Sequence, residues 1–317
     1  MRAPVFWQRD GFLPALLSPA SWVVAAATAR RLRQAGWCAP VPVICCGNAS
    51  VGGAGKTTVV LDLIARLRRR GVAVHCLTRG YHGYIAGVLQ VDPARHEAAL
   101  VGDEPLLLAA EAPTWVGADR AASARAAIAA GAELLLMDDG LQNPGLCKTA
   151  SLLVVDGAVG FGNGRVLPAG PLREPASAAA ARCRACVLIG ADRARTRAAT
   201  GALPVLEAWL VPDRTLEGER VFAFCGIARP GKFFETIAAA GADLVGSTSF
   251  PDHHLFSTRE VGQVLSEASR HRARPMTTAK DAVRLPSALR AHIDTLGVRL
   301  EWRDEAALER ILDEVLG

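Results

Sequence analysis

Ser50-Val51-Gly52-Gly53-Ala54-Gly55-Lys56-Thr57 is the stretch on which the reading of this chain turns. It approaches the phosphate-binding pattern GxxxxGK[ST], which follows a strand and opens a helix. Three glycines let backbone N–H groups turn inward around phosphate oxygens. Lys56 has the length to reach β- and γ-phosphates, and the Thr57 hydroxyl is placed to ligate Mg²⁺. Ser50 stands where the pattern has its first glycine. The flanks agree with the motif. Residues 41–46 read as an apolar strand, 56–70 as a helix ended by Gly71, and 72–77 as a second strand.

Farther out the alternation continues. A helix is expected over 103–111, a strand over 114–116, an Ala-rich helix over 119–130 and strands over 134–137 and 152–156. Alternation of this kind predicts βαβ units and a mostly parallel sheet. The strand at 134–137 ends in Asp138-Asp139-Gly140. A rigid strand presenting an acid at the sheet's carboxyl edge is what a Walker B element needs to hold Mg²⁺. Residues 157–175 are rich in Gly and Pro, and so long a loop inside a compact domain is usually functional.

Two more strands, 186–189 and 205–210, complete the first unit. Turn and polar residues place a boundary near 215. Beyond it, strands at 221–225, 244–249 and 275–277 alternate with helices at 231–240, 258–270 and the C-terminus. The expected organisation is therefore an N-terminal helical segment (1–36), a P-loop α/β domain (37–215) and a smaller α/β domain (216–317).

Composition narrows the function. Of 317 residues, 50% are apolar and 21% charged, which excludes a disordered or fibrous chain. The net charge is +5, carried almost wholly by Arg; the only lysines are Lys56, Lys148, Lys232 and Lys280. Aromatic residues are 5% and are not interleaved with basic ones, so no nucleic-acid partner is expected. The eight cysteines include three in strand-like apolar runs and a lone Cys183-Arg-Ala-Cys186, read as structural; this usage points to an intracellular protein. Residues 11–29 carry no charge, but Pro14 and Pro19 interrupt them. Ser18-Pro19 reads as a helix start, leaving about eleven apolar residues before Arg30 against the roughly 20 a membrane span needs. The helix either packs on its own domain or lies in a membrane interface, with Trp22 and Val23 in lipid and Arg30, Arg31 and Arg33 near anionic headgroups.

Two nucleotide-hydrolase variants can be set aside. Val51 stands where partition-type ATPases carry Lys, and Thr278-Ala-Lys280-Asp281 has the wrong spacing for a guanine-reading [NT]KxD. A kinase acting on a small or lipid acceptor leads. Such an enzyme needs a base for the acceptor hydroxyl. Asp103, after Gly102, and the turn Phe250-Pro-Asp252-His253-His254 are the candidates.

In order along the chain, Gly47–Thr57, Arg79-Gly80-Tyr81, Val101–Pro105, Asp138–Gln142, Pro168–Glu174, Phe250–His253 and Thr277–Asp281 resemble the segments of the tetraacyldisaccharide 4′-kinases, the lipid A 4′-kinases of Gram-negative bacteria. Ser50 is ordinary in that family. Thr58 and Asn143 stand where it usually has Pro and His. The resemblance implies transfer of the γ-phosphate of ATP to the 4′-hydroxyl of a tetraacyldisaccharide 1-phosphate. It also implies a monomer peripheral to the cytoplasmic face of the inner membrane, and so favours the interfacial helix. Ser50, Val51, Gly52, Gly53, Ala54, Gly55, Lys56, Thr57 and Asp138 would bind the nucleotide. Thr57, Asp139 and Glu104 would hold Mg²⁺. Asp103 and His253 would pair at the acceptor, with Arg79, Arg173 and Glu174 on the lipid. A P-loop ATPase or GTPase driving metal-cofactor assembly is the alternative.

Overall fold

The computed structural model describes residues 4–80 and 83–317. In chain order the strands are β1 (Val43–Gly47), β2 (Val74–Thr78), β3 (Val88–Gln90), β4 (Thr114–Gly117), β5 (Leu134–Asp138), β6 (Ala150–Asp156), β7 (Ala185–Ile189) and β8 (Val205–Pro212). A second group follows: β9 (Arg220–Cys225), β10 (Asp243–Ser249), β11 (Arg274–Thr278) and β12 (Asp294–Leu296), and then β13 (Val298–Trp302). The large sheet has the order β13-β8-β7-β6-β1-β5-β2-β4-β3. All its pairings are parallel except those of the two edge strands, β3 and β13. The α/β class and the mostly parallel P-loop-type sheet are as expected.

The central strands are apolar throughout because both faces are covered. Every residue of β1, β5, β6 and β7 is buried. Alternate residues face opposite sides. Ile44, Cys46, Leu134 and Leu136 join the core under the helix Lys56–Arg69. Val43, Cys45, Leu135 and Met137 join the core on the other face.

The small sheet has the order β10-β9-β11-β12, all parallel. Its first strand in the chain starts at Arg220, and the smaller unit does not run to residue 317 as the sequence suggested. After β12 the chain returns: β13 pairs antiparallel with β8, and the helix Glu305–Leu316 buries Leu308 and Leu312 in the large core beside Trp302. The edge of β8 would otherwise lie open, and pairing satisfies it. Arg66 fixes the returning helix through Glu305 (3.2 Å) and Glu309 (2.5 Å).

The first helix also differs from expectation. It spans Phe12–Leu32, with Pro19 inside. Pro14 sits in the first turn, where a missing N–H costs nothing. The Ser18 hydroxyl donates to the Pro14 carbonyl at 2.8 Å. At 21 residues the helix is long and apolar enough to cross a membrane, by length and composition alone. Ser21 ties it to the long loop, donating to the Val166 carbonyl (2.7 Å) and accepting from Ala169 N–H (3.2 Å). Phe12, Leu16, Trp22 and Val23 are exposed.

Cys38 and Cys147 form a disulfide, a pairing that the cysteine count alone gave no reason to expect. Trp37 N–H donates to Gly145 and Cys147 N–H donates to Trp37, which brings the two segments side by side. Burial pushes the Cys183 and Cys186 thiols up to about 12, which fits packed cysteines rather than reactive ones.

Candidate active site

The phosphate loop leaves β1 at Gly47 and enters the helix at Lys56. Gly52 (φ 110°) and Gly55 (φ 87°) lie in the left-handed region that favours glycine. At Gly55 a Cβ would also come within 2.6 Å of the Ile189 side chain. The 157–175 loop buttresses the turn from outside. Val51 N–H donates to the Pro171 carbonyl (2.9 Å) and Arg173 N–H to the Ala49 carbonyl (2.7 Å). Through these two bonds the long Gly/Pro-rich loop shapes the backbone around residues 49–51.

Asn48 organises the inside of the turn. Its amide donates to the Gly52 carbonyl (3.2 Å), and its side-chain oxygen accepts from the Lys56 ammonium (3.1 Å). Asn48 had no role in the sequence reading, although its place beside Gly47 was visible there. Gln142 is a second such residue, its amide donating to the Asn48 backbone carbonyl (2.9 Å) and to Glu174 (2.8 Å).

The two acids at the end of β5 diverge. Asp138 is buried and accepts from the Thr57 hydroxyl at 3.0 Å. Its other oxygen is buried with no hydrogen-bond partner among the described residues. Burial, then the nearby Glu104 charge, raises its pKa to about 7. An unpartnered buried carboxylate oxygen is costly, and a hard cation beside it satisfies both oxygen and charge. The Thr57–Asp138 donor set therefore fits Mg²⁺. Asp139 adopts φ 56° and points elsewhere, at 3.6 Å from Lys56 and 2.9 Å from Arg173. Burial opposes its charge, but Lys56 and Arg173 outweigh it and hold the carboxyl below its usual range. The acid beside Thr57 is thus Asp138, where the sequence reading gave the metal to Asp139.

Glu104, the other expected metal ligand, is ion-paired with Lys280 at 3.1 Å. Glu174, expected on the lipid, is buried and held by Arg182 (2.7 and 2.8 Å) and Gln142. It is a support beneath Gln142 and Arg173, with no surface left to offer a sugar. Arg79 is exposed just past the end of β2, at the sheet's carboxyl edge. Tyr81, part of the motif quoted with it, lies outside the described residues.

Asp103 opens the helix Asp103–Ala109 in the large unit, and His253 lies in the turn after β10 in the small one. Their side chains meet: His253 Nδ1 is 2.9 Å from Asp103 Oδ2. Lys280 (3.8 Å) and Arg284 (3.4 Å) flank the same oxygen. Burial alone would raise the Asp103 pKa. The His253 hydrogen bond and the charges of Lys280 and Arg284 overcome it and bring the group down to about 2. Arg284 is buried and also grips Asp281 (2.8 Å) and the Gly226 carbonyl (3.1 Å), which anchors the β9 and β10 turns. Lys280 lies in the segment Thr277–Asp281 already compared with the family, where it carried no assigned role, and nothing in the sequence singled out Arg284. His253 itself adopts φ 59°, a left-handed conformation that its surroundings must hold. Nδ1–H donating to the carboxylate leaves Nε2 as the basic nitrogen. The arrangement can orient a hydroxyl and receive its proton.

Comparisons with known proteins give the family. Residues 13–317 match the family described as tetraacyldisaccharide-1-P 4′-kinase. The tetraacyldisaccharide 4′-kinase of Rhodospirillum centenum is 54% identical, covering 100% of this chain and 97% of its own. That of Gluconacetobacter diazotrophicus is 56% identical, covering 99% and 98%. The crystal structure of LpxK from Aquifex aeolicus in complex with ATP superposes with a TM-score of 0.78 at 25% identity, covering 96% of this chain and all of that one. With a family match over nearly its whole length and relatives above half identity, the chain belongs to the tetraacyldisaccharide 4′-kinases.

Proposed function

We propose that this enzyme transfers the γ-phosphate of ATP to the 4′-hydroxyl of a tetraacyldisaccharide 1-phosphate, with Mg²⁺, at the cytoplasmic face of the inner membrane. The observation that carries the reading is the Asp103–His253 pair, built from both units, with Asp103 next in chain to Glu104, whose charge is felt at Asp138. Loop amides and Lys56 receive the β- and γ-phosphates. Thr57 and Asp138 would hold Mg²⁺, which supplies charge neutralisation on the phosphates. His253 Nε2 takes the hydroxyl proton while Asp103 orients the ring and stabilises the imidazolium. The acceptor oxygen bonds to phosphorus as the bridging bond to ADP breaks. Little more is asked of a base once the oxygen is in line, because the transition state is loose.

Arg79 is the cation best exposed to meet the lipid's phosphate. Arg173 joins it by way of Asp139, whose charge it shares with Lys56. The exposed apolar face of the helix Phe12–Leu32, followed by Arg30, Arg31 and Arg33, supports a peripheral membrane seat. Since one chain supplies both halves of the site, a monomer suffices.

One assay decides the reaction. Purified protein, Mg-ATP and the disaccharide 1-phosphate lipid should yield a lipid bearing a second phosphate. ATP hydrolysis indifferent to the lipid would instead favour a nucleotide-driven motor. For the membrane seat, charge reversal at Arg30, Arg31 and Arg33 together should release the protein from anionic vesicles. Unchanged binding would leave the helix as packing alone.

A further inference from the structure

Asp156 is the last residue of β6, the strand next to β1. Two cations of the small unit close on its carboxylate: Arg229, just before the helix Pro230–Ala239, and Lys232, in that helix's first turn. Among the described residues no other carboxylate lies within 4.0 Å of either cation. One acid thus serves two bases, and neither base is fully buried. Burial and the charge of Arg229 push Lys232 down to about 8, with Glu235 opposing.

The place of this cluster relative to the phosphate loop follows from register. Asp156 pairs with Ile189 across β6 and β7. Paired residues of parallel strands present their side chains to the same face, about 4.8 Å apart. Ile189 belongs to the core beneath the helix Lys56–Arg69, and its side chain is the group that a Cβ at Gly55 would strike. Asp156 therefore opens on the face of the sheet that carries the phosphate loop, one strand from the loop's last glycine. The first turn of a small-unit helix is held there, with its cations parked on an acid.

We propose that Arg229 and Lys232 are phosphate-binding residues: when nucleotide fills the loop they leave Asp156 for the polyphosphate, so that the small unit closes on ATP through its own cations. The proposal rests on the nucleotide-binding reading of residues 50–57. It makes Asp156 a placeholder anion that keeps the cations oriented and in reach while the site is empty. Arg and Lys bind phosphate in different ways, the guanidinium bidentately and the ammonium as a point charge.

The test is Mg-ATP and AMP binding to the full-length protein, without lipid, by titration calorimetry. Arg229→Ala and Lys232→Ala should each weaken Mg-ATP binding roughly tenfold, the loss of one charge-assisted contact, and leave AMP nearly unchanged. Lys232→Arg should restore most of the affinity. Asp156→Asn should leave Mg-ATP binding unchanged or tighter, because it frees the cations. If the cluster is only a strut between units, Asp156→Asn will weaken ATP binding as much as Lys232→Ala does, and the proposal fails. It fails equally if neither cation variant changes ATP affinity in protein whose melting temperature is preserved. Wild-type protein that binds no Mg-ATP at all would instead overturn the reading of the loop.

Discussion

The phosphate loop and the acceptor pair are built in opposite ways. Residues 47–57 form one continuous segment in which strand, turn and helix follow directly, and its phosphate-facing groups all lie within it, although Pro171, Arg173 and Gln142 brace it from outside. The acceptor pair joins Asp103 to His253 across 150 positions, and each is set by different neighbours. Asp103 is fixed by a helix start after Gly102; His253 sits in a strained turn that Arg284 anchors through the Gly226 and His254 carbonyls. The loop's chemistry depends on local backbone conformation. The pair's chemistry depends on how two sheets are docked. Damage to the loop should therefore be absolute and local, whereas damage to the pair should be graded and sensitive to the docking.

The largest effect tests the loop. Lys56→Ala should lower turnover by on the order of 10³-fold or more at saturating Mg-ATP, since a positioned cation on the transferring phosphate carries that much. Asp138→Ala should be at least as damaging as Asp139→Ala in the same assay. A clear reversal of that order would return the metal to Asp139.

Next comes the pair. Asp103→Ala and His253→Ala should each cost roughly 10²–10⁴-fold in kcat, the usual range for acid–base groups. The double variant should be little worse than the poorer single, because the two act as a unit. Losses that multiply would mean the residues work independently.

A smaller effect isolates the docking energy. Asp103 has its folded pKa depressed from 3.8 to about 2. Its contribution is therefore present above about pH 4 and disappears as pH falls towards 2. The size is about 2 kcal/mol, from roughly 1.4 kcal/mol per unit. Urea unfolding of wild type and Asp103→Asn should show a stability gap of this order at pH 6 that narrows below pH 4. A gap that does not change with pH would remove the ionised pair as its source.

The smallest effect belongs to His254. It bonds Glu260 at 3.0 Å and stacks on Phe250 with ring centroids 5.0 Å apart, so it faces its own unit's core. His254→Ala should change kcat less than about threefold while lowering stability by about 1 kcal/mol. A loss of activity matching that of His253→Ala would make the turn, rather than the imidazole at 253, the functional element.

What could be read without coordinates was what repeats locally or lies contiguously. The glycine loop, the fully apolar strands ending in Asp138-Asp139 and the alternation of elements together specified a parallel P-loop sheet. They did so because backbone conformation, side-chain period and helix opening are all short-range. The ordered set of segments then pointed to Asp103 and His253. Tertiary structure decided which acid meets Thr57, because a left-handed backbone at Asp139 turns its carboxylate towards Lys56 and Arg173. It buried Glu174 beneath the site, and it placed Asn48 and Gln142 inside. It also returned Val298–Trp302 and the last helix to the large sheet, because the open edge of β8 and the apolar face of Leu308 and Leu312 had to be covered by something. Such choices depend on which distant surfaces remain unpaired once the local elements have formed. No window of sequence contains that information, and only the packed chain does.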